Sequence, residues 1–156
     1  MLRILIVTTL FVHFPLFLVA AELHTWPLDS INTPDLTLHG TASMAQGVNN
    51  KSLVLNGTSL LTVKDSFGYT ANKAGFTLTI WVNPYRHSNE QQMIAAKNRY
   101  SLHERQWGVM LDKDNRFRLY AYQGHWVTAD CSAQPQPGSW YLIGVVVRQA
   151  NAELWV

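Results

Sequence analysis

The sequence has 156 residues, enough for one domain, and with 47% hydrophobic and only 14% charged residues it excludes a disordered or polyelectrolyte chain. Twelve basic against ten acidic residues leave a net charge of +2, and the basic residues are scattered rather than gathered into the stripe that a phosphate-tracking nucleic-acid module needs. One cysteine excludes an internal disulfide framework and a cysteine-rich metal site, while six Trp, six Tyr and six Phe suit a β-rich core, a ligand-holding face, or both.

At the N-terminus, Met1-Leu2-Arg3 carries one positive charge ahead of an uncharged apolar run over residues 4–21. Val19-Ala20-Ala21 supplies small residues, and polar sequence begins at Glu22. This order reads as a secretory signal peptide over residues 1–21, with residues 22–156 as the mature domain. The competing reading is a membrane anchor. Against it, the run sits at the lower limit of the roughly 20 residues a span requires and contains His13 and Pro15. No later segment is long and apolar enough to span, so the protein is expected to be secreted, at the cell surface, or periplasmic. In such an oxidising compartment Cys131 is either buried and inert or paired with a cysteine of another chain. Its surroundings, Ala129 to Pro135, offer no base and do not match the Cys-x-Pro-x-Arg signature of sulfatases.

The mature sequence shows no sustained helical period and reads as short strands between turns. Residues 52–56 and 59–63 flank Asn56-Gly57, a tight-turn signal that predicts a hairpin. Asn56-Gly57-Thr58 also fits the N-glycosylation acceptor pattern, and the hairpin turn is the preferred reading. Residues 76–82 alternate: Phe76, Leu78, Ile80 and Val82 share one face, Thr77, Thr79 and Trp81 the other, and Pro84 ends the strand. A strand over residues 93–97 follows. Trp107, Val109 and Leu111 then line one face of a strand that turns at residues 112–115 into residues 116–122, a predicted hairpin. Gly124 leads into residues 125–128, and a Pro-Gln-Pro-Gly-Ser loop precedes the strand of residues 140–148. That strand is apolar on both faces from Leu142 to Val147, which predicts burial on both sides or cover by a second sheet. Residues 152–156 form a last strand. The predicted fold is all-β, an antiparallel two-sheet sandwich. Because the sequence stops inside that apolar strand, it reads as incomplete, with an open hydrophobic edge as the expected consequence.

The series Gly40, Val48, residues 53–57, Phe76-Thr77-Leu78-Thr79-Ile80-Trp81-Val82-Asn83-Pro84, Ile94-Ala95-Ala96-Lys97 and Trp107-Gly108-Val109 resembles the laminin-G-like group of concanavalin A-like lectin/glucanase jelly rolls. Residues 138–147 and 152–156 look like its later strands, and the resemblance begins near Trp26. It implies two curved antiparallel sheets packed face to face.

The enzymatic members implied by that resemblance carry two carboxylates on one strand, and retaining hydrolysis needs them about 5–5.5 Å apart. Here Glu22, Glu90, Glu104 and Glu153 are far apart in sequence, and Asp112 and Asp114 sit in a turn where Asp is an ordinary turn former. His103-Glu104-Arg105 points to alternating faces of a strand, and the histidines, among them His24, His39 and His87, lack metal-ligand spacing. There is no His-Glu-x-x-His, Gly-x-Ser-x-Gly or phosphate-loop motif. No catalytic residue is assigned.

A binding face has more support. If Phe117, Leu119 and Ala121 point to the core, then Arg118, Tyr120 and Tyr122 point outward, with His125 and Trp126 at the strand's end and Arg99 and Tyr100 as candidates for the same rim. Flat aromatic rings beside placed polar groups suit the apolar faces of sugars. Cross-strand packing on a half-exposed sheet is the alternative account of the same tyrosines. Calcium is implied only by the resemblance: Asp29, Asn56, Asp65 and Asp130 lie near turns, and no ligand set is assigned. The expectation is a secreted, non-catalytic module for a glycan or cell-surface ligand. Its alternatives are the N-terminal part of a larger secreted polysaccharide-acting hydrolase, or a protein–protein adhesion domain.

Overall fold

The computed structural model describes residues 25–32, 35–64, 75–99, 104–148 and 151–156. The proposed signal segment, Asp65, Tyr100 and His103 lie outside them. Among the described residues there are eleven strands and no helix, hence no helix long and apolar enough to cross a membrane. In chain order β1 (Leu36–His39), β2 (Ala42–Gln46), β3 (Lys51–Leu55) and β4 (Leu60–Val63) form two separate pairs, β1 with β4 and β2 with β3. β5 (Phe76–Val82), β10 (Tyr141–Arg148) and β11 (Asn151–Trp155) make a sheet in the order β11-β10-β5. β6 (Gln92–Arg99), β7 (Glu104–Leu111), β8 (Phe117–Tyr122) and β9 (Trp126–Asp130) make a four-stranded meander. Every pairing is antiparallel, as the sequence pattern predicts for a sandwich.

The core follows from the period-two alternation. Trp107, Val109 and Leu111 of β7 and Phe117, Leu119 and Ala121 of β8 are buried together with Ile143, Val145 and Val147 of β10. Phe76, Leu78, Ile80 and Val82 of β5 pack against this cluster, and the Phe76 and Trp107 rings lie 4.8 Å apart. Each fully buried aliphatic or aromatic side chain contributes about 1.5–3 kcal/mol, so this inter-sheet layer is what fixes which face of β8 looks outward. Cys131 is half-buried against the same cluster.

The predicted turn at residues 112–115 forms. Asp112 Oδ1 accepts the N–H groups of Asp114 and Arg116, each at 2.9 Å. Asn115 takes the left-handed conformation at φ 57°, and its Oδ1 accepts the Ser88 N–H at 2.7 Å.

Two expectations are corrected. β3 and β4 do not form a hairpin across Asn56-Gly57, because β3 pairs with β2 and β4 with β1. A type I′ hairpin needs positive φ at both central residues, and here Gly57 has φ 87° while Asn56 is not in the positive region. Asn56 Oδ1 instead accepts from Thr58 N, Thr58 Oγ1 and Ser59 Oγ at 2.9–3.1 Å, curling the chain away into a different sheet. The second correction concerns β10. Its inner face is buried, whereas on the outer face Leu142 is 46% exposed and Gly144 and Val146 are half-buried, so that face is only partly covered among the described residues.

Candidate functional site

The meander has one face in the core and the other outward. The cross-strand registers set the outward residues in rows: Met93, Met110, Arg118 and Asp130; then Ala96, Gly108, Tyr120 and Thr128; then Tyr122 beside Trp126. The structure therefore brings Arg118, Tyr120, Tyr122 and Trp126 together on one surface, as the alternation predicts. Tyr120 and Trp126 stand edge to face with ring centroids 5.7 Å apart and planes at 67°. Tyr122 and Trp126 are 5.1 Å apart at 60°. Both Tyr122 and Trp126 keep more than two-fifths of their surface exposed, so the pair is a surface and not a second core.

His125 occupies the turn of residues 123–125, exposed, where its carbonyl accepts the Gln123 N–H at 2.9 Å and Gly124 supplies φ 85°. It lies at the edge of the face rather than in the aromatic cluster. The rim candidates Arg99, for its side chain, and Tyr100 lie outside the described residues.

Beside the rings, Arg118 is fully engaged on one edge. Its Nε donates to Asp130 Oδ1 at 2.7 Å and its Nη2 to Asp130 Oδ2 at 2.9 Å. Nη2 also lies 3.4 Å from Asp112 Oδ2. The hydrogen bond to Asp130 raises the guanidinium's pKa above its usual value, helped by the charges of Asp130, Asp112 and Asp114. The same bond, with the Arg118 and Arg116 charges, holds the Asp130 carboxyl below the usual carboxylate range. Asp112 and Asp130 thus meet around one guanidinium, a carboxylate pair that strand spacing alone does not reveal. Asp130 is stabilised as the anion, and buried Asp112 accepts two backbone N–H groups on Oδ1.

Three further residues join this surface without having been named as site residues from the sequence: Asn98, Gly108 and Asp112, the last read there only as a turn former. Tyr120 Oη is hydrogen-bonded by Asn98 Nδ2, and Asn98 Oδ1 accepts the Gln106 N–H at 3.1 Å. The signal for Gly108 is present in the sequence, since an isolated glycine within a strand marks a close approach.

Of the residues named for calcium, Asp65 lies outside the described residues, and the other three face different surroundings. Asp130 gives both oxygens to Arg118, Asn56 Oδ1 is filled by three donors, and Asp29 lines a shallow cavity of about 490 Å³ together with Lys51, a cation. Among the described residues no group of three or more His, Cys, Asp or Glu is placed to hold a metal.

Comparison with known proteins gives two findings. The family model Laminin_G_3, described as the concanavalin A-like lectin/glucanases superfamily, matches residues 55–156. Among solved structures, the chain is similar to domain 4 of AbnA, a GH43 extracellular arabinanase from Geobacillus stearothermophilus solved in complex with arabinotriose. The TM-score is 0.57 at 18% identity, covering 77% of this chain and 60% of that one. At that identity the likeness shows the fold, and the chain spans about three-fifths of the neighbour's length. No curated protein matches the sequence.

Proposed function

Because the chain belongs to the Laminin_G_3 family of concanavalin A-like lectin/glucanase domains, we propose that it is a non-catalytic carbohydrate-binding module whose ligand lies on the outer face of the β6–β9 sheet. The observation that carries the reading is the surface made by exposed Trp126 and Tyr122 with half-buried Tyr120, beside the Arg118–Asp130 pair. Aromatic faces stack on the C–H faces of sugars, and a few fixed polar groups orient the hydroxyls. The neighbour of similar fold is a domain of an arabinanase bound to arabinotriose, which supports a glycan as ligand and a place beside a polysaccharide-acting enzyme. Its extracellular setting, together with the signal-like residues 1–21, supports export.

The charge on the face narrows the ligand class. Arg118 is matched by Asp130 and flanked by Asp112, so its guanidinium is not free to pair with an acidic sugar. Neutral polysaccharides such as arabinan or xylan are the class it suits. Affinity electrophoresis in gels containing arabinan, xylan or mixed-linkage glucan tests the reading. The protein is expected to be retarded in at least one of them, and Trp126→Ala is expected to lose about tenfold in affinity, equivalent to about 1.4 kcal/mol. Unretarded migration in every gel, or a Trp126→Ala variant that binds like the wild type, overturns it. The first outcome would favour a protein–protein adhesion role for the same face.

A further inference from the structure

We infer that Gly108 and Asn98 are positioning residues: together they lay the Tyr120 ring flat across β7, preforming the floor on which a neutral sugar ring stacks. What the floor serves rests on the glycan reading; how it is made does not.

Gly108 is the cross-strand partner of Tyr120. A β-carbon on Gly108 would lie 2.6 Å from Tyr120 Cζ and 2.8 Å from Cε1, closer than carbon atoms approach. The phenol ring therefore occupies the volume that any side chain at position 108 would fill. Across the sheet the hydroxyl reaches β6, where Asn98 Nδ2 donates to it. Asn98 is itself fixed by a bulge. The β6–β7 register slips between Lys97 and Asn98, leaving Gln106 as the extra residue of β7, and Asn98 Oδ1 accepts its N–H. An unpaired ladder N–H thus holds the Asn98 amide by its oxygen and aims its nitrogen at the phenol, the re-aiming that bulges provide. The hydroxyl end of the ring rests over Gly108. Trp126 stands at 67° against it as a wall. A ring held in this way has its rotamer chosen before a ligand arrives, so stacking does not cost the ordering of that side chain.

Substitution of Gly108 by Ala presses on the far end of a side chain rather than on backbone, so it should dislodge the ring without unfolding the sheet. The test combines Gly108→Ala, Asn98→Ala and Tyr120→Ala in the full chain, using tyrosine-labelled NMR, affinity for the polysaccharide that retains the wild type, and urea unfolding. Tyr120 ring resonances, identified by their disappearance in Tyr120→Ala, should carry a ring-current shift from Trp126 that both positioning variants lose. Gly108→Ala should weaken binding about tenfold, as Tyr120→Ala does, and the double variant should be no weaker than Tyr120→Ala alone. If both positioning variants keep the ring-current shift, or if Gly108→Ala weakens binding further in the Tyr120→Ala background, the inference is wrong. Should Gly108→Ala unfold, Asn98→Ala alone decides by the same shift and affinity. A wild type that binds no polysaccharide defeats the glycan reading, and the ring-current measurement still decides the positioning.

Discussion

The Arg118–Asp130 pair links one side chain's ionisation to folding. Asp130 titrates below its ordinary value of 3.8, first because Arg118 hydrogen-bonds the anion and then because Arg118 and Arg116 lie near it. A carboxyl whose pKa is lower in the folded than in the unfolded chain adds stability above the unfolded pKa, and that stability is lost as pH falls through the folded one. The raised Arg118 contributes no pH dependence in this range, since it stays charged throughout. Both side chains are about two-fifths exposed, so solvent screens the pair and its worth is about 0.2–1 kcal/mol rather than that of a buried bridge. Asp130→Asn is expected to lower the melting temperature near neutral pH, with the gap closing as pH falls below the ordinary carboxylate range and the neutral-pH gap shrinking in about 1 M salt. A gap that persists in acid at low salt would show that Asp130 stabilises the fold by packing instead. At this scale the sequence was informative wherever a residue's role depends on its own strand. The alternation of Phe117, Leu119 and Ala121 with Arg118, Tyr120 and Tyr122 sets the outward set. It was silent on Asn98, whose role exists only across strands, and marked Gly108 and Asp112 only as an isolated strand glycine and a turn former, not as partners of Tyr120 and Arg118.

The β7–β8 hairpin decides the register that stacks Tyr120 on Gly108, so its turn is where an element-level change should register. Asn115 does two things there: it holds φ 57°, and it accepts the Ser88 N–H at 2.7 Å while buried. Asn115→Gly keeps the conformation and leaves the Ser88 N–H without its acceptor, a loss of about 1–3 kcal/mol. Asn115→Ala adds left-handed strain of about 1–2 kcal/mol to the same loss. Urea midpoints should therefore fall in the order wild type, Asn115→Gly, Asn115→Ala; an alanine variant as stable as the glycine one would mean the backbone strain is relieved elsewhere. This hairpin was legible because its two strands and its polar turn are contiguous. The Asn56-Gly57 segment carries an equally strong local signal and misled, because β4 finds its partner in β1, more than twenty residues upstream. Turn propensity describes four residues, whereas sheet membership is settled by which faces bury together. The same reason explains β10, whose apolar outer residues suggested a cover that the described residues supply only in part.

Taken as a whole, the molecule has two unlike outer surfaces. The β6–β9 face is aromatic and polar. The opposite face, on β5, β10 and β11, sets Trp81 beside Leu142 and Trp155 over Gly144, where Trp155 Cβ would sit 3.5 Å from an added β-carbon. Trp155 is 63% exposed and Trp81 and Leu142 are each close to half exposed, and the charged Glu153 lies beyond them on the same face, paired with Arg148. β11 is also a sheet edge among the described residues, next to this patch. Contiguous exposed apolar surface and an unpaired edge both favour association between copies. Sedimentation velocity over roughly two decades of concentration should show mass rising with concentration. Leu142→Lys with Trp155→Lys should hold the protein monomeric, because lysine disfavours both apolar burial and edge pairing. The doubly substituted protein should still be retarded by the polysaccharide that retains the wild type, since Trp126 lies on the other sheet. Association that survives both lysines would move the contact to another surface, such as the exposed Val54, Leu55, Leu60 and Val63 of β3 and β4. Loss of polysaccharide binding in a lysine variant that remains folded would instead mean that the two faces are not independent, and that the glycan surface extends to Trp155.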